Sequence, residues 1–212
     1  MGYQMKLLID TSPASMVELI KEDLVLGQLI TPLTGYSDAG LPYGIDNGAF
    51  TRFNKKEFTR ILTRQDNAMD RCLFVAIPDI VGNARRTLEI WRSRYNLCPP
   101  KWPMALVAQD GIEDLDIPWE EMKAIFIGGT TLWKDSKCVV DIVKTAKTLG
   151  LHVHIGRVNT LPRYKHFAAL GADTCDGSGI ARFSHMLKEL KEGLEAQPVP
   201  ELFDNIPQED LV

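Results

Sequence analysis

Residues 73–111 read LFVAIPDIVGNARRTLEIWRSRYNLCPPKWPMALVAQDG: an apolar run, a polar loop, a helical segment and a second apolar run. LFVAIPD (73–79) and MALVAQD (104–110) lack strict alternation, as parallel strands covered on both faces require. Between them, Asn83 stands ahead of a helix carrying Leu88, Trp91 and Tyr95. A strand, a helix and a parallel strand make a right-handed crossover. Six further runs follow the same pattern: KLLIDT (6–11), LGQLIT (26–31), PYGIDNG (42–48), AIFIGG (124–129), HVHIGR (152–157) and ADTCDG (172–177). Eight such runs predict an α/β fold, a compact (β/α)8 TIM-like barrel with parallel strands. An open doubly wound sheet is the alternative.

The remaining helices are marked by their ends. Asn54, with Glu57 three residues on, resembles a capping box ahead of Phe58, Ile61 and Leu62. Asp135 is a candidate cap for a helix with Val139, Val143 and Ala146 inward, stopped by Gly150. Thr160 opens a segment with Phe167 and Leu170 that ends at Gly171. A last helix, about 180–196, presents Phe183, Leu187, Leu190 and Leu194. The pattern predicts one catalytic domain over 1–196 and an acidic, proline-containing, loosely ordered tail over 197–212.

Composition narrows the function. The chain has 212 residues, 45% of them hydrophobic, and a net charge of −4 from 24 basic and 28 acidic side chains. That balance argues against a generic polyanion binder and still permits a local basic groove. No apolar run approaches the ~20 residues of a membrane span. MGYQMKLLID has no basic leader ahead of a hydrophobic stretch, so a cytoplasmic protein without a membrane partner is expected. Cys72, Cys98, Cys138 and Cys175 form no CxxC or Cys/His cluster, so neither a metal site nor a disulfide framework is expected. No nucleotide fingerprint follows any strand, and no cofactor is implied.

Five of the eight runs end in side chains or turns capable of chemistry: Asp46-Asn47-Gly48, Asp79, Gln109-Asp110, Gly128-Gly129-Thr130-Thr131 and Asp176-Gly177-Ser178. In a parallel barrel these ends open on one face, where carboxylates in close company raise at least one pKa. Taken singly, an Asp after a strand is most often a cap or turn residue, and Gly128-Gly129 is equally a tight turn. His152 and His154 alternate on one strand and point to one side, packing or facing the barrel interior. Arg85, Arg86, Arg92 and Arg94 read as a solvated helix face, with a phosphate patch as the sharper alternative. Cys175 faces away from its neighbour Asp176.

The ordered strand ends resemble the tRNA-guanine transglycosylase superfamily, whose members exchange guanine for a 7-deazaguanine base within nucleic acid on a (β/α)8 barrel. IDNGAF (45–50) resembles the family's Asp-Ser-Gly-Gly-aromatic segment. That likeness makes Asp46 the general acid/base and Phe50 the aromatic that stacks on the purine. Asp79 in AIPD stands where the family has its second base-reading aspartate. Gln109 in LVAQDG is similar to the glutamine that reads the base's carbonyl side. Gly128-Gly129 resembles the pair whose backbone N–H contacts that carbonyl. GADTCDGS (171–178) resembles the last strand, where the aspartate matching Asp176 is the covalent nucleophile.

The likeness spans about residues 40–180 in order. The family's zinc-binding Cys/His insertion is absent, Thr51 replaces the glutamine after the aromatic, and residues 177–182 replace an RNA-contacting loop. A reduced, zinc-free chain also resembles the DNA-modifying transglycosylases of viruses and bacterial modification clusters, and the preference is for DNA over tRNA. The partners implied are nucleic acid and a free 7-deazaguanine base, with a homodimer or a modification-complex partner left open. Arg157, Arg163, Lys165 and Arg182 follow the last two strands and are the candidates for flanking phosphates. A guanine N-glycosidase and a catalytically silent nucleic-acid-binding barrel are the competing expectations.

Overall fold

The computed structural model of the chain describes residues 4–177 and 184–195. Eight parallel strands close on themselves: β1 (Lys6–Ile9), β2 (Val25–Ile30), β3 (Tyr43–Ile45), β4 (Cys72–Ala76), β5 (Met104–Ala108), β6 (Ala124–Ile127), β7 (His152–Ile155) and β8 (Thr174–Cys175). Closure runs through β8 and β1, which pair Thr174 with Lys6 and Cys175 with Leu7. Every predicted run is a strand, and the open sheet is excluded.

The helices are α1 (Pro13–Leu19), α2 (Lys55–Arg64), α3 (Ala84–Arg92), α4 (Thr131–Lys134), α5 (Lys137–Thr148), α6 (Leu161–Ala169) and α7 (Ser184–Glu195). Their inner faces and the outward strand residues share one hydrophobic core, which includes Leu187 and Leu190 of α7. Among the described residues no helix is long and apolar enough to cross a membrane.

The barrel interior follows from the alternation of strand side chains. Phe74 and Ala76 of β4, Ala105 and Val107 of β5, and Ala124 and Phe126 of β6 form a separate inner cluster with Leu8 and Leu29. Phe74 and Phe126 meet edge to face at 5.9 Å, and glycines make room for both rings. A Cβ at Gly44 would lie 2.4 Å from the Phe74 ring, and one at Gly156 would lie 2.6 Å from Phe126. Large residues thus sit against absent side chains, and the interior is filled rather than open.

Local chemistry matches the caps in part. Asn54 accepts from the Glu57 N–H at 3.2 Å, while the Glu57 carboxylate turns to Arg60 at 2.8 Å, so only half of a capping box forms. Asn83 caps α3 through the Arg86 N–H. Three assignments are corrected. Tyr95 is not on the α3 face: the helix ends at Arg92, and Tyr95, 57% exposed, follows in a 3-10 turn. Its ring lies 4.4 Å from the guanidinium of Arg94, which is itself buried against Trp91 and paired with Glu121. Arg94 therefore leaves the solvated face on which the sequence set it. Asp135 does not cap α5: Ser136 stands at that position, because the extra turn α4 ends at Asp135. Phe183 and the 197–212 tail lie outside the described residues.

Candidate active site

Continuing each strand's inward alternation past its last hydrogen bond brings Asp10, Thr31, Asp46, Gln109, Gly128, Gly156 and Asp176 to one mouth. With Asp79 and Phe50, these residues line a cavity of about 390 Å³ at the carboxyl ends of the strands. Its floor is apolar, with Leu8, Leu29, Val107 and Phe126, and its polar groups converge from several strands.

Asp176 is held from two sides. Its Oδ1 accepts the backbone N–H of Arg157 at 3.0 Å, and its Oδ2 lies 3.1 Å from Nε2 of His154. His154 is fully buried, with Phe74 and Phe126 each 4.6 Å from its ring. Its Nδ1 meets the Thr174 hydroxyl at 2.9 Å, and that hydroxyl meets Nε2 of His152 at 2.8 Å. The single hydroxyl hydrogen fixes the direction of this chain. With Asp176 as a carboxylate and His154 as the neutral Nε2–H tautomer, Thr174 donates to Nδ1 and accepts from His152. Burial lowers His152 to about 4, which keeps that ring neutral at pH 7 and suits it to the role.

Asp46 lies at the end of β3. Burial raises its carboxyl to about 7, with the Asp176 charge next in size and the N–H groups of Gly48 and Asn47 opposing. The Asn47 N–H bond is 2.7 Å. The buried Asn47 side chain donates to Ile77 O at 3.0 Å and to Asp79 Oδ1 at 2.9 Å. Asp79 accepts on its other oxygen from Gln109 Nε2 at 2.7 Å. Burial raises the Asp79 carboxyl, and these two hydrogen bonds hold the rise back.

Gln109 joins three loops. Its Oε1 accepts from the N–H groups of Gly82 at 2.8 Å and Gly129 at 3.2 Å. Two backbone donors and one carboxylate acceptor fix which end of the amide is oxygen. Gly129 therefore orients Gln109, and the Gly128 N–H is spent on Ala108 O at 3.0 Å. Both glycines are also required sterically. A Cβ at Gly128 would lie 2.7 Å from Gln109 Nε2; at Gly129, whose φ is +54°, it would lie 2.2 Å from the Trp133 ring. Gly129→Ala is expected to cost about 2–4 kcal/mol in denaturant unfolding, from left-handed strain and overpacking together.

Phe50 is 65% exposed at the rim, and the Arg157 guanidinium carbon lies 4.4 Å from its ring centre. Arg157 is the one described non-glycine residue with positive φ, +60°, and its guanidinium also donates to Gly129 O. This strained backbone places the Arg157 N–H on Asp176 and its guanidinium beside Phe50. The other phosphate candidates are not gathered here. Arg163 is paired with Asp135 at 2.7 Å, Lys165 lies on α6 and does not line the cavity, and Arg182 lies outside the described residues.

Three participants escaped the sequence reading. In the sequence Asn47 stands among the strand-end residues without a role of its own, and His154 is expected to pack or face the barrel interior, as it does, without its contact to Asp176. Lys134 carried no signal; it is 1% exposed and donates to Gly156 O at 2.6 Å beneath the cavity wall. Burial lowers its ammonium to about 8, with Arg157 adding to the fall and Asp176 opposing it. Among the described residues, no three His, Cys, Asp or Glu side chains are grouped so as to hold a metal ion.

Fold and site together define a (β/α)8 barrel with a carboxylate-lined cavity at the carboxyl ends of its strands. The chain matches no protein-family model and no curated protein.

Proposed function

We propose that the chain is a nucleic-acid base-exchange transglycosylase that replaces guanine with a 7-deazaguanine derivative, with DNA as the substrate. One observation supports this above all: two carboxylates share one cavity in different environments. Asp46 is raised to about 7 and poised to exchange a proton, while Asp176 is held by His154 and the Arg157 N–H.

In the proposed reaction Asp176 attacks C1′ while the C1′–N9 bond breaks, and its electron pair leaves with the base. Asp46 gives its proton to the departing guanine, leaving a sugar ester on Asp176. Asp46 then removes the N9 proton of the incoming base, which attacks C1′ and releases Asp176. Asp79 has acceptor capacity left for purine N–H groups, and Gln109 Nε2 keeps one N–H for a carbonyl. Phe50 offers a stacking face. In a duplex the target nucleotide must first leave the helix, at a cost of a few kcal/mol.

The test is incorporation of radiolabelled guanine, run in parallel on duplex DNA and unmodified tRNA. Label in DNA supports the proposal, and label only in tRNA moves the substrate to RNA. Free guanine released without an incoming base makes the protein an N-glycosidase, and no reaction leaves a binding barrel.

A further inference from the structure

Beside the cavity runs a second groove, lined by Pro32, Leu33, Arg52, Phe53, Lys55 and Lys56. Leu33 belongs to both walls, and Thr51 of the cavity is followed directly by Arg52 of the groove. Three cations face this groove and no carboxylate does. All three are exposed. About half of the other described cations are ion-paired, among them Arg60 with Glu57, Arg71 with Asp38, Arg86 with Glu89, Lys147 with Asp173 and Arg163 with Asp135. No ion pair engages Arg52, Lys55 or Lys56 among the described residues.

Their placement also opposes local electrostatics. Lys55 and Lys56 occupy the first turn of α2, where backbone dipoles already leave partial positive charge and acidic residues are favoured. In a chain of net charge −4, three exposed cations without an ion pair cluster in one groove at the rim of an acidic pit. A local choice that works against its own helix is characteristic of a functional surface.

We infer that this groove binds the phosphodiester backbone of the nucleic-acid strand whose base enters the cavity. The inference rests on the base-exchange assignment for its ligand. It moves the phosphate contacts from the loops after the last two strands to the segment just after Phe50. The aromatic rim residue and the phosphate cradle then lie on one continuous piece of chain, so a strand can lay its backbone along residues 52–56 while its base turns past Phe50. Phosphate contacts of this kind fix position and carry no sequence information, which leaves base choice to Asp79 and Gln109.

The experiment is fluorescence anisotropy of the full chain with labelled duplex DNA, single-stranded DNA and unmodified tRNA, from 50 to 300 mM NaCl, each added as ~20-nucleotide or natural-length probes. The triple variant Arg52→Ala, Lys55→Ala, Lys56→Ala is compared with Arg92→Ala, Lys123→Ala, Lys144→Ala. The second set removes the same charge from exposed residues at the amino-terminal end of the barrel. Groove substitution is expected to weaken binding about tenfold and to flatten the log–log salt dependence by about 2–3, from release of ~0.7–0.9 counterions per phosphate contact. The control set is expected to change neither by comparable amounts.

Equal effects of the two sets, or no nucleic-acid binding by the wild type at 50 mM NaCl, would overturn the groove. Binding to phosphatidylserine vesicles in place of all three nucleic acids would overturn it as well. Labelled-guanine exchange separates the two claims. Groove-dependent binding without exchange removes the base-exchange assignment and leaves the groove. Exchange with an unaltered KM in the groove variant removes the groove and leaves the assignment.

Discussion

Asp176→Asn is expected to abolish covalent trapping of the nucleic acid and to lower base exchange by about 10⁴-fold or more, as removal of a covalent nucleophile does. Asparagine suits the test because its shape and its carbonyl oxygen are kept. The oxygen still accepts from Arg157 N–H or from His154 Nε2–H, which Asp176 now receives at 3.0 and 3.1 Å. The variant should therefore fold and melt close to wild type, and the loss should lie in chemistry. Trapping is scored as a protein–nucleic acid adduct on a denaturing gel, and exchange as incorporated label. Normal exchange by Asp176→Asn would refute the nucleophile assignment, and an intact adduct would point to another carboxylate.

In the proposed reaction, the surroundings of Asp176 serve to position it for attack. A nucleophile must hold one rotamer. The Arg157 N–H fixes one oxygen, and the His154–Thr174–His152 chain fixes the other from inside the barrel. In the proposed reaction His154 is a positioning residue: it is fully buried and meets the cavity-lining Asp176 through Nε2.

The strands were legible because each is a short apolar run, and a parallel barrel demands eight of them. The converging strand ends were legible for the same reason: alternation carries Asp46, Gln109 and Asp176 inward once the runs are placed. What the sequence does not carry is register. The contact between His154 and Asp176 exists because β7 pairs His154 with Thr174, two residues and therefore one inward position before the aspartate. Two histidines alternating on a strand announce an inward face, but not which carboxylate lies above them. Asn47 was likewise hidden, since its value lies in bonds to Ile77 O and Asp79, some thirty residues away. Lys134 belongs to a four-residue turn with no periodicity to read, and that same turn displaced Asp135 from its expected cap. Arg163 shows the converse. Its position after β7 suggested a phosphate contact, but Asp135 has already claimed its guanidinium.

Asp46→Asn is expected to lower exchange by about 10²–10⁴-fold, the range of a positioned acid–base group, while making the fold more stable at high pH. The carboxyl titrates near its ordinary 3.8 in the unfolded chain and at about 7 in the folded protein, where burial and the Asp176 charge disfavour ionisation. Between those values the folded protein keeps a proton that the unfolded chain has released. Wild-type stability from this group is therefore full below about pH 4 and lost as pH rises through 7. Asparagine cannot ionise, so the variant's advantage should be near zero at pH 4, grow through the interval and level off above 7. Because Asp46 opens onto a cavity that water can enter, the plateau is expected at about 1–3 kcal/mol rather than the full linkage value. Denaturant unfolding at pH 4, 6 and 8 measures it without any substrate. The same titration shapes wild-type turnover, since one carboxyl must be an acid toward the leaving guanine and a base toward the incoming one. Exchange should then peak near pH 7 and fall on both sides. A variant advantage that does not change with pH would mean that Asp46 titrates like an exposed aspartate. The split between the two carboxylates, on which the proposed chemistry rests, would then be absent.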